Sequence, residues 1–164
     1  MKLFVLNEVG LSKAEISDFL SFVRFNSMDV YFLQDAQAHI SMFEREIFEH
    51  VIGGALAGLD VSTNIEIESR EFYSIASTLF KDIFIGSFDI SNVSDVVHAL
   101  VRLKTIGLSF SRVYSMYSHY TEFVSSHIFL MKKNDIEAYH DVVNSFHKSI
   151  TINLYFASRV YGAN

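Results

Sequence analysis

The segment 110–132, FSRVYSMYSHYTEFVSSHIFLMK, is apolar along two seams. Val113, Tyr114, Tyr117, Val124 and Ile128 follow one helical stripe, and Met116, Tyr120, Phe123, His127 and Leu130 follow another. A helix apolar over most of its circumference must be covered on both sides. One cover is the next helix, opened by Asn134 and Glu137 at capping spacing, with Tyr139, Val142, Val143, Phe146, Ile150 and Leu154 facing one way. The cover expected for the second seam is the same helix pair of another copy, a four-helix dimer interface through Met116, Tyr120, Phe123, His127 and Leu130. The alternative is a central helix buried within its own subunit.

Helical period continues upstream. Ser12 and Glu15 stand at capping-box spacing, with Leu11 and Ile16 placed as a hydrophobic staple, so a helix is expected over about 12–25. Asn-Ser-Met-Asp at 26–29 restarts a helix whose apolar positions reach the small-residue stretch GGALAG at 53–58, read as a turn or loose helix end. Thr63 and Glu66 form a second capping box, followed by Phe72, Ile75, Ala76, Leu79, Phe80 and Ile83 at helical period. GSFDISN at 86–92 breaks the chain. A helix over about 92–105 carries Val93, Val96, Val97, Leu100 and Leu103, Ile106-Gly107-Leu108 ends it, and Ser109 is placed to cap the 110–132 helix. The sequence contains no proline, so every break falls to Gly, Asn, Ser or Asp. No repeat or linker interrupts the pattern, and 1–164 is expected to be one all-α domain of six to eight helices.

Composition narrows the function. Half of the 164 residues are apolar and 20% charged, which fits a folded core and excludes disorder. A formal charge of −6 without a long basic run excludes the cationic footprint of a nucleic-acid binder. The absence of cysteine excludes disulfides, thiolate metal sites and a cysteine nucleophile, and is compatible with a reducing cytosol. MKLFVLNEVG is too brief an apolar run for a signal peptide, and no window of about 18 apolar residues suggests a membrane span. A cytoplasmic location is the expectation.

Catalytic patterns are missing as well. No G-x-S-x-G, phosphate loop or carboxylate pair within an apolar stripe occurs. Asp60, Glu66, Glu68 and Glu71 cluster near a helix start, where acids favour the dipole without doing chemistry. Of the histidines, His140 and His147 lie two turns apart and no H-x-x-x-H step is present, while Glu137 and His140 form a lone E-x-x-H step that supplies only two ligands, so no metal site is expected. No enzyme activity is expected.

The order LFKDIFIGSFD, then a helix ending LKTIGL, then SFSRVYSMY resembles the globin-coupled sensor family over about residues 79–128. Haem-binding members of that family place the proximal histidine three residues before the Ile-Gly-Leu junction. Here that position is Leu103, which has no lone pair for iron. His98, five residues upstream, stands roughly 140° around the helix. The resemblance therefore implies a non-haem globin-like domain, of the kind found in the amino-terminal domains of stressosome RsbR proteins and in stand-alone proteins similar to a sporulation histidine kinase input domain.

That kinship implies a fatty acid or similar apolar ligand in place of haem, lined by Phe72, Phe80, Phe84, Leu100, Leu103, Ile106, Phe110, Tyr114 and Tyr117, with a polar exit at Lys104, Arg102 or a tyrosine hydroxyl. It also implies a homodimer that competes for the signal of a sensor histidine kinase or pairs with that kinase, and so inhibits sporulation. Two other readings stand beside it: a haem gas sensor using a displaced His98, and a dimerisation module whose core is packed shut.

Overall fold

A computed structural model describes residues 2–56 and 69–163. Among them the chain forms eight α-helices and no strand: α1 Lys2–Glu8, α2 Lys13–Phe22, α3 Ser27–Ser41, α4 Glu44–Leu56, α5 Ser69–Phe80, α6 Ile90–Thr105, α7 Phe110–Lys132 and α8 Ile136–Gly162. The capping box at Thr63 and Glu66, and the acids Asp60, Glu66 and Glu68, lie outside the described residues.

Local chemistry sets most of the boundaries. Ser12 accepts from the Glu15 amide and the Glu15 carboxylate accepts from the Ser12 amide, a complete capping box, with Leu11 and Ile16 both buried. Asn26 and Asp29 repeat that device at α3. Asp89 caps α6 and Ser109 caps α7. At α8 the cap is Asp135, whose carboxylate accepts from the Ala138 amide, one residue past the Asn134 expected from spacing.

Three helices end on the same stop. After α6, the Leu108 amide reaches the Leu103 carbonyl at 3.0 Å and the Gly107 amide the Lys104 carbonyl at 3.1 Å, with Gly107 at φ +91°. This is a Schellman motif, which places the residue after the glycine against the third-from-last helical residue. Leu103 and Leu108 are those two residues, and both are buried. The motif recurs after α1, where Leu11 bonds Leu6, and after α2, where Phe25 bonds Leu20 and Arg24 takes the left-handed conformation.

Two elements escaped the sequence pattern. α1 buries Leu6 and exposes Phe4. The long helix expected to start at 27 is two, α3 and α4, separated at Met42 and Phe43 by tight bonds to the His39 and Ile40 carbonyls. The stretch at 53–58 is helical as far as Leu56.

The described helices share one buried apolar cluster. α7 packs most extensively against α4 and α8; α3 lies on α8, α5 on α6, and α1 covers α6. Asp29 joins α3 to α8: it accepts from Ser145 Oγ at 2.7 Å and from Lys148 Nζ at 3.1 Å while serving the cap of α3. Each oxygen of this buried acid is thereby engaged, which is what makes its burial tolerable. No described helix is long and apolar enough to cross a membrane.

Candidate functional site

The candidate site is a cavity of about 190 Å³ where α3, α4, the end of α5 and α7 meet. α3 presents Gln37, Ile40 and Ser41, α4 presents Glu44, Ile47 and Phe48, the α5 end presents Phe80, Lys81 and Phe84, and α7 presents Tyr120. Its floor is aromatic. Phe80 stacks on Tyr120 at 4.2 Å between ring centres, and Phe84 stacks on Phe146 at 5.4 Å. Its rim is polar: Ser41, Glu44 and Lys81 are exposed and Gln37 is half-buried. Among the described residues no salt bridge to Lys81 is formed.

Two buried phenols belong to this region. Burial pushes the Tyr120 hydroxyl far up from its usual range, helped by the negative charge of Glu44, and burial does the same to Tyr117. Both stay protonated at any physiological pH. Tyr117 packs edge-on to Phe80 at 5.1 Å, and its hydroxyl is buried without a hydrogen-bond partner among the described residues.

Of the nine residues expected to line one hollow, Phe80 and Phe84 do line the cavity. Phe72, Leu100, Leu103 and Tyr117 are buried in the core, and Leu103 is in the wall of none of the five cavities described. Ile106 is half-buried. Phe110 and Tyr114 do not line this cavity: at 39% and 53% exposure they lie on the surface, Phe110 against Tyr161, and Tyr114 with Tyr117 along the α7–α8 groove.

The cations expected at a polar exit are engaged elsewhere. Lys104 donates to the Val160 and Ala163 carbonyls at the end of α8, where a cation offsets the helix dipole, and Arg102 pairs with Glu71. The cation at the rim of the α3–α4 cavity is Lys81, which sequence reasoning passed over although it directly follows Phe80. Nothing local marks the α3 and α4 wall residues as converging.

The second seam of α7 has an intramolecular cover. Met116 and Tyr120 are buried within their own subunit, so they cannot form an interface between folded copies. Phe123 and His127 are half-buried against α4 and the α3–α4 turn, Phe123 on His50 and His127 on Phe43. Leu130 alone of the five is open, at 59% exposure. The alternative of a helix covered by its own subunit describes this face.

His98 is exposed while Leu103, on the opposite side of α6, is fully buried. His98 borders a groove of about 380 Å³ with Ser74, Thr78 and Arg102. No group of three or more His, Asp or Glu able to hold a metal ion occurs among the described residues. No family model matches the sequence, and no curated protein matches it.

Proposed function

We propose that this protein is a non-enzymatic, non-haem sensor domain of the globin-like class that binds an apolar ligand carrying a carboxylate, of which a fatty acid is the type. The observation that carries the reading is the cavity itself: aromatic and aliphatic walls, with a polar rim where the Lys81 ammonium stands with Gln37, Ser41 and the Glu44 carboxylate. An apolar chamber with few polar groups at one end orients a hydrocarbon tail inward and a charged head outward. Eight helices packed in pairs around one core support the globin-like class.

The cavity lies on the α3–α4 side of the core, away from Leu103. Its volume is below the roughly 300 Å³ at which small-molecule sites usually begin, so it takes a short acyl chain or the end of a longer one. A regulatory role follows from the resemblance over 79–128: the domain would withhold such a ligand from a sensor histidine kinase, or pair with it.

The test is mass spectrometry of an organic extract of the purified protein, with thermal melts in decanoate. A co-purifying lipid, or a decanoate-dependent rise in Tm that Lys81→Glu reduces, is expected. No lipid in the extract and no rise in Tm would sink the proposal.

A further inference from the structure

Four of the seven histidines meet where α4 rests on α7. His119, Phe123 and His127 stand at successive four-residue steps on α7 and so share one stripe. His50 of α4 faces His119 at 5.7 Å and Phe123 at 4.8 Å between ring centres. Phe43 stacks on His127 at 4.3 Å, and His39 of α3 packs on Phe43 at 5.3 Å. Gly54 completes the seam: a Cβ there would come within 2.4 Å of the His119 ring. The joint is thus built from imidazole and phenyl rings in contact with one another.

Imidazole is the side chain whose charge changes between pH 5 and 8. At His127, burial and the neighbouring His39 both oppose protonation and outweigh the attraction of Glu46, so its pKa lies below the usual histidine value. Other charged groups on the helices that meet here are Glu44 and the exposed Arg45–Glu49 pair on α4, Glu122 on α7, and the Lys132–Asp35 bridge that ties α7 to α3. The acids are exposed and screened by water, so they compensate weakly for charge placed between packed rings.

The position of this seam gives it a consequence. α4 supplies Glu44, Ile47 and Phe48 to the cavity wall and α7 supplies Tyr120. Any loosening of α4 from α7 widens the cavity. We propose that the α4–α7 seam is an acid-operated gate: proton uptake by His127, between Phe43 and Phe123 in this seam of rings, pushes α4 off α7 and widens the cavity, while α6 and α8 stay packed. The gate goes beyond the sensor reading and does not depend on what the cavity holds.

The test is amide hydrogen exchange followed by mass spectrometry on the full chain without added ligand, at pH 7.5 and 5.5, corrected for intrinsic exchange rates. Protection in peptides from 44–56 is expected to fall at least tenfold more than in peptides from α6 and α8. The difference should shrink to under threefold in His39→Gln/His127→Gln and persist in His147→Gln, with circular dichroism confirming that each variant is folded. Should the double variant not fold, the single change His127→Gln must lower the differential on its own. An equal loss of protection in all helices, no loss at all, or a differential unchanged in the histidine variants overturns the gate.

Discussion

Leu103 and Phe84 occupy two regions of the core that differ in kind. Around Leu103 the inner face of α6 is solid: Val97, Leu100 and Leu103 are all fully buried, and Leu108 folds back onto them. Around Phe84 four elements converge without filling the space between them. The first region closes because a Schellman stop brings two leucines together from five residues apart. The second stays open because α3 turns into α4 there, and the side chains it delivers, Gln37, Ser41 and Glu44, keep their polar ends in water and leave the interior unfilled. A leucine at residue 103 therefore does not itself leave a hole. Leu103 belongs to a helix stop, and the hollow lies where backbone direction changes.

The largest expected effect breaks this comparison at its packed end. Leu103→Ala should cost about 2 to 5 kcal/mol in urea unfolding, the range for a fully buried leucine in a site that cannot collapse, and decanoate should not restore it. A loss below about 1 kcal/mol would place a hollow beside residue 103. Overpacking should discriminate next. Val97→Phe adds atoms to a filled region and should cost about 1 to 3 kcal/mol. Ile47→Phe adds them to the cavity, should cost under about 1 kcal/mol, and should abolish the decanoate-induced rise in Tm. Equal costs for the two substitutions would mean that the regions do not differ.

The sequence disclosed what each helix does locally and little of what covers it. The bounds of α7 and its cap at Ser109 follow from spacing alone, because a capping oxygen and its amide are three residues apart in any context. Asn134 and Asp135 are both competent caps, and spacing could not choose between them. The break at Met42 and Phe43 was hidden because neither is a turn residue. The seam of Met116 and Tyr120 was correctly buried and wrongly partnered: amphipathicity reports that a face is dry, not whether α4 or another subunit dries it. The same limit applies to the cavity. Phe80 and Phe84 were legible as apolar, whereas Gln37, Glu44 and Lys81 became a rim only through contacts between helices.

The smallest expected effect uses pH to separate the two regions. His147 lies on α8, half-buried between Phe146 and the α7–α8 groove, and desolvation holds its pKa below the usual histidine value of about 6.5. The unfolded chain takes this proton first as pH falls, so the stability due to neutral His147 is complete above about 6.5 and declines below it. His127 contributes with the same sign. The two differ in where the loss is felt. α8 runs through the packed side, so His147 should act on the whole molecule: Tm should fall from pH 7.5 to 5.5, and His147→Gln should make that fall shallower without altering the selective loosening of α4. A His147→Gln protein whose Tm falls as steeply as that of the wild type would mean that His147 is hydrated in the folded state. The acid response would then come from the α4–α7 seam, leaving the packed side insensitive to pH.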